Sequence, residues 1–240
     1  MDSQSFSFPT TQWDVVSQGK AAVAEIYHRY RPALKAFLIR GRRVNPNDAD
    51  DLIQGFAQSR LLEQDLIGTA DRNRGKFRSY LMAAFRYYLS NVHKYERAGK
   101  RSPNQAVVSL EGGEWVPQPA AVDAFEVAWA REVLHHTLRT MRDHCQQEGR
   151  SDVWKVFEAR LLVPILGHGV CESYEQLCRQ LQVRDVTVVA NLLVTAKRLF
   201  ERMLEKVLGE YCRSEADVQE EMVDLLEILS RARAESSGIW

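Results

Sequence analysis

The chain lacks most of the features that announce a function class. Its 240 residues contain no apolar run near the roughly 18 residues that a membrane-spanning helix needs. The opening MDSQSFSFPTTQWD has no basic stretch followed by an apolar one, so no secretory signal is expected and a cytoplasmic location follows. Cysteine is scarce: Cys145, Cys171, Cys178 and Cys212, with no pair at CxxC spacing. His168, Cys171 and Cys178 come nearest to a ligand set, but reduced structural thiols are the expectation, with no metal site. There is no glycine-rich phosphate loop and no nucleophile motif, so neither an enzyme nor a cofactor is expected. His135, His136 and His144 fall on one predicted helix as surface residues.

Net charge is also absent, yet it is unevenly spread. Residues 1–101 carry 17 Lys and Arg against 10 Asp and Glu, while residues 102–240 carry 15 against 22. A basic first half can attract phosphate without sequence preference, although an ordinary solvated surface has the same composition.

What is present is helical periodicity. At 45% hydrophobic and 27% charged residues, the composition is that of a globular protein. Val23, Ile26, Tyr27, Tyr30, Leu34, Phe37 and Leu38 form one stripe over residues 20–40. Asn45-Pro46-Asn47 breaks it, and a second helix begins near Asp48, with Asp50 and Asp51 in its first turn, where carboxylates suit the helix dipole. Residues 68–75 read as a polar loop and residues 77–97 as a third helix. Between 99 and 122 the glycines and prolines cluster and periodicity fades, which marks a linker. Helices resume over 123–147, 151–166, 173–181 and 185–208, and an acidic helix ends the chain at 214–234. The expected fold is all-α: a domain over 1–100, a linker over 101–122, a second domain over 123–212 and a helical extension over 213–240.

Residues 173–204, SYEQLCRQLQVRDVTVVANLLVTAKRLFERML, read as a short helix, a tight turn and a longer helix, a geometry that places a helix in the DNA major groove. Ser173 with Gln176 makes a capping box. Leu177 and Leu181 follow at helical spacing, Val183 is the apolar residue of the turn, and Asp185 can cap the second helix, with Thr187 in its first turn.

On a helical wheel the third helix sorts its residues. Phe77, Leu81, Ala84, Tyr88, Val92 and Tyr95 fall on the side expected to face the core. Tyr80, Tyr87, Asn91 and Lys94 lie about a quarter turn away, with Arg86 and Arg97 further round and Lys76 and Arg78 at the helix start. Exposed rings stack on unpaired bases, an amide bonds base edges and cations hold the backbone, so the surface suits single-stranded nucleic acid. Two readings of Tyr80 and Tyr87 stand: base-stacking platforms, or half-buried packing residues beneath a solvated cationic rim.

Taken together, these segments resemble a bacterial RNA polymerase sigma factor of the sigma-70 family, extracytoplasmic-function (ECF) group. The order of parts is similar over most of the chain. DADDLIQGFAQSRLLEQ (48–64) resembles the helix that docks on the polymerase clamp, GKFRSYLMAAFRYYLSNVHKYERA (75–98) the promoter-melting helix, and the 173–204 segment the C-terminal helix-turn-helix. The resemblance implies a non-enzymatic transcription initiation factor whose partners are core RNA polymerase, promoter DNA and a regulatory protein such as an anti-sigma factor. Asp50, Asp51 and Gln54 would touch polymerase, with Phe56 in the core. Arg78, Tyr80, Arg86, Tyr87, Asn91 and Lys94 would open the minus-ten element and hold a flipped base. Thr187, Asn191, Thr195, Lys197 and Arg198 would enter the groove at the minus-thirty-five element.

Two further expectations come from the residues. The run VTVVANLLV is apolar on nearly every side, and such a helix is expected to be buried. The acidic last helix, with Val218, Met222, Leu225, Leu226 and Leu229 at helical spacing, is the predicted cover, with a partner protein as the other choice. That last helix is then either a capping element of its own domain or an autoinhibitory or regulator-docking segment. The competing function is a sigma-like adaptor whose second domain binds protein instead of DNA.

Overall fold

A computed structural model describes residues 20–66, 76–99, 119–163, 171–210, 212 and 214–237. The opening segment, the predicted loop over 68–75, most of the predicted linker and His168 lie outside the described residues. Every regular element is helical, and no strand occurs among the described residues.

The helices are α1 Lys20–Arg42, α2 Pro46–Phe56, α3 Phe77–Gly99, α4 Pro119–Gln147, α5 Ser151–Phe157, α6 Tyr174–Leu181, α7 Val186–Gly209 and α8 Glu215–Ser237. Both α2 and α5 continue into a π-helical turn, over Ala57–Leu62 and Glu158–Leu162. The chain divides into two compact units, residues 1–132 with 209–240, and residues 133–208. The boundary therefore falls inside α4, and the acidic last helix belongs to the first unit.

Side-chain caps set the helix starts, and α2 begins at Pro46, two residues before the expected start, so that Asp48 and not Asp50 or Asp51 stands in its first turn. The Asn45 side chain accepts from the backbone N–H of Asn47, and Pro46 opens α2 at a position where its missing N–H is not needed. At α6, Ser173 and Gln176 close a reciprocal capping box at 3.2 and 2.7 Å. Asp185 accepts from the Thr187 N–H at 2.8 Å ahead of α7, and this bond, more than any other influence, holds its carboxyl below the ordinary range. The end of α4 is set by Gly149 at φ 65°, with the Arg150 N–H bonding back to the Cys145 carbonyl at 2.7 Å. That wrap-around needs a left-handed residue, which glycine adopts without steric cost.

In the first unit, α1, α2 and α3 share an aromatic centre. Phe85 meets Phe37 and Phe56 edge-on, with ring centroids 6.1 and 5.0 Å apart, and all three rings are fully buried. Leu34, Leu38, Ile53, Leu81 and Leu89 complete this core. Phe56 is thus placed as expected. Gly41 on α1 lies against Ala121 of α4 so closely that a Cβ at position 41 would overlap both the side chain and the backbone of Ala121.

The second unit has two apolar clusters. Met141, Cys145, Val153, Phe157, Ala196 and Leu199 join α4, α5 and α7. Val156, Ala159, Leu177, Cys178 and Val189 join α5, its π turn, α6 and the start of α7. The α7 positions in these clusters recur at helical spacing, leaving the opposite face of α7 to solvent.

Candidate nucleic-acid interface

The face of α3 that enters the core is Arg78, Leu81, Met82, Phe85 and Leu89. This is roughly a quarter turn from the face read off the wheel. Phe77, Ala84, Tyr88 and Val92 border the core as half-buried residues, and Tyr95 is 78% exposed instead of buried. The physical reason is that Met82, Phe85 and Leu89 offer a wider apolar stripe once Arg78 is neutralised from outside the helix.

This rotation turns Tyr87 and Lys94 out to solvent and leaves Tyr80 and Asn91 half-buried. Tyr87 is 61% exposed, and the Arg60 guanidinium sits over its ring at 5.1 Å from the centroid. Such a contact contributes about 0.5–1 kcal/mol at an exposed site. It leaves the ring presented to solvent beside a cation. Lys94 is exposed two turns further on, and Asn91 is half-buried between them. Tyr80 is half-buried, and its hydroxyl donates to the Leu66 carbonyl at 3.2 Å. The two rings therefore divide the readings made of them: Tyr87 is presented to solvent, while Tyr80 packs and ties down the chain after the π turn.

Arg86 is half-buried. Its charge, after burial, is what lowers the pKa of Arg42 on α1, so two guanidinium groups lie near one another beside this surface.

Arg78 stands apart. It is only 7% exposed. Its Nη1 bonds Glu221 Oε2 at 2.7 Å, its Nη2 bonds Asp224 Oδ2, and its guanidinium stacks over Trp129 at 4.3 Å. Lys76 Nζ reaches the same Asp224 oxygen at 2.5 Å. Burial raises the Glu221 pKa in spite of Arg78 and Lys76. At Asp224 burial pushes the same way, but the hydrogen bond from Lys76 and the charges of Arg78 and Lys76 outweigh it, and its pKa falls. The neighbouring Cys212 thiol is pushed up to about 12, by burial first and then by Glu221 and Asp217.

These contacts correct the expected position of the last helix. α8 packs within the first unit, against the start of α3 and against α4. Glu221, Leu225 and Ile228 turn inward at i, i+4 and i+7, while Val223, Leu226 and Glu227 face outward. Arg231 fastens the far end to Glu126 at 3.0 Å, and Glu210, just ahead of α8, pairs with Arg29 at 2.7 Å.

On α2, Asp51 and Gln54 are exposed. Asp50 is half-buried and bonds Lys35 at 2.7 Å and Arg31 at 2.9 Å, and the Lys35 hydrogen bond leads in lowering its pKa. Asp51 and Gln54 thus offer a free polar face, whereas Asp50 is already engaged with α1.

On α7 the expectation of a buried helix is corrected as well. Thr187, Asn191, Lys197 and Arg198 are exposed, and Thr195 is half-buried, its hydroxyl donating to the Asn191 carbonyl at 2.9 Å. Val186, Val188 and Val194 are also exposed, at 41%, 41% and 48%. The helix buries Val189, Ala196 and Leu199 and shows a mixed polar and valine face. Arg202 is exposed one turn beyond Arg198 and lies on the same face, a cation missed in the sequence although its i+4 spacing marks it.

Comparison with protein-family models, with curated proteins and with solved structures finds no match to this chain. Among the described residues no group of three or more His, Cys, Asp or Glu could hold a metal ion, and no helix is long and apolar enough to cross a membrane.

Proposed function

We propose that the chain is a sigma factor of the ECF type, binding core RNA polymerase through the exposed polar face of α2 and promoter DNA through α3 and α7. The observation that carries this reading is Tyr87: a large ring 61% exposed, capped by the Arg60 guanidinium, on the α3 face opposite the core. An aromatic in contact with a cation is what captures an unstacked base, since each stack is worth about 1–3 kcal/mol, comparable with the cost of unpairing. The capped turn ahead of α7, followed by exposed Thr187, Asn191, Arg198 and Arg202, supports a helix-turn-helix that meets the minus-thirty-five element. Polymerase performs the chemistry, and linked binding of two reading elements raises the effective concentration of the second.

A specific observation also favours the adaptor reading. Val186, Val188 and Val194 are exposed on the first turns of α7, where a helix entering DNA would gain more from cations. One experiment separates the two. The protein is mixed with bacterial core polymerase and a promoter-fragment library, and run-off transcripts are sequenced. The sigma reading expects new, specific start sites. It also expects Tyr87→Ala to lower open-complex formation roughly five- to 150-fold while polymerase binding stays unchanged. No new start sites, with or without polymerase binding, supports the adaptor, and new specific start sites reject it.

A further inference from the structure

Lys76 and Arg78 are the two cations at the start of α3, and both are engaged by carboxylates from a helix that lies about 145 residues further along the chain. The pairing is asymmetric in depth. Arg78 and Glu221 are nearly sealed from solvent, whereas the side chains of Lys76 and Asp224 remain 28% and 31% exposed. A guanidinium that donates to carboxylate oxygens can donate to phosphate oxygens as well.

We propose that α8 is an internal occupant of the anion-binding end of α3. Glu221 and Asp224 hold Lys76 and Arg78 where backbone phosphates of a nucleic acid would otherwise bind, so α8 and DNA compete for the same two cations. The inference rests on the reading that α3 meets DNA, and it adds a regulation of that surface. Three features support it. The contact is polar and charge-matched, the kind that a polyanion can replace. The Lys76–Asp224 pair is open enough for a phosphate to approach before Arg78 is uncovered. The far end of α8 is held by Arg231, whose side chain is 59% exposed, so the helix can be loosened from an accessible point. Tyr87 is not covered by α8; the device masks phosphate-binding cations and leaves the base-stacking ring presented.

The test uses the full chain and a fluorescein-labelled twenty-nucleotide single-stranded DNA, followed by anisotropy across a salt series. The Glu221→Gln/Asp224→Asn variant is expected to bind at least about tenfold more tightly at low salt. Its plot of log affinity against log salt should steepen by about 1.4, the increment for two further phosphates on a single strand. Adding Lys76→Gln/Arg78→Gln to that variant should cancel both gains. Unchanged affinity and slope in a folded Gln/Asn variant would overturn the proposal. Should that variant not fold, Arg231→Glu, which loosens α8 from its exposed end, is expected to give a smaller gain in the same direction, and no gain there overturns the proposal equally. Capture of core polymerase is measured in parallel. Polymerase binding without a DNA gain rejects the mask alone. A DNA gain without polymerase binding rejects the sigma reading and leaves the mask standing.

Discussion

Replacing Arg78 by alanine isolates a nearly buried electrostatic contact of the first unit. The side chain is almost fully buried and meets Glu221, Asp224 and Trp129 together. Removing one partner of a buried pair costs about 3–5 kcal/mol, chiefly through the charge left behind. Two features of the site pull the figure to the lower end. Asp224 is partly solvated, and Glu221, whose pKa burial already raises, can take up a proton once its cation is gone. A loss of about 3 kcal/mol is therefore expected, which for a chain of this size lowers Tm by roughly 6–12 °C. Circular dichroism melts at neutral pH measure it, and a cycle with Glu221→Gln should show a coupling of about 1–3 kcal/mol. The internal control is Arg231→Ala on the same helix. Its exposed pairs with Glu126 and Asp123 should be worth less than about 1 kcal/mol. If Arg78→Ala shifts Tm no more than Arg231→Ala does, burial is not what gives this contact its strength, and the account of how α8 is held fails.

Two other outcomes can be checked by melts. Gly41→Ala should destabilise the first unit by about 1–3 kcal/mol, because the added methyl meets the backbone and Cβ of Ala121 and not a flexible side-chain end; an unchanged Tm would mean that α1 and α4 can separate at no cost. On acidification the carboxylates facing Arg78 and Lys76 act in opposite directions. Glu221, with its pKa raised, favours the fold when protonated, so its contribution grows as pH falls towards about 4.3 and is lost as pH rises through its folded value. Asp224 and Asp50, with theirs lowered, stabilise above about 3.9 and lose that contribution as pH falls through their folded values. Stability of the first unit should therefore peak on the acid side of neutrality and drop below the ordinary carboxylate range. Glu221→Gln should remove the rising limb, and a monotonic fall from pH 7, identical in wild type and variant, would contradict the assignment.

Much of the fold is legible in the chain because its signals are local. Ser173, Gln176 and Asp185 act within one turn of themselves, and their helices start where the sequence predicts them, whereas Asn45 and Pro46, read as a break, open α2 two residues earlier than expected. What escapes is set by residues far away in sequence. The rotation of α3 depends on Arg78 being admitted to the core, and that depends on Glu221 and Asp224, well over a hundred residues later. The apolar pattern of α8 shows that it has a mate without showing which one. Glu221, set among the apolar positions of α8, was the available hint, since an acid on a buried face calls for a buried cation. Of the residues that the family resemblance assigns to DNA, Tyr87, Lys94, Asn191 and Arg198 are at the surface, while Arg78 is covered and Tyr80 is tethered. Arg60 carries no signal of its own in the sequence; its place over Tyr87 depends on the π turn that carries it.

That π turn carries one residue more than regular winding would hold, visible in the Glu63 N–H bonding back to the Gln58 carbonyl five positions earlier. The surplus residue fixes the phase of all that follows it: Leu61 points inward, Arg60 lies over Tyr87, and Leu66 arrives where the Tyr80 hydroxyl can bind it. Excising a single residue such as Gln58 would leave a perfectly good helix and swing this whole arm by about 100°. Leu61 would be carried towards water and Arg60 away from its ring. Length at this spot, as much as chemistry, thus decides where Leu61 and Arg60 point.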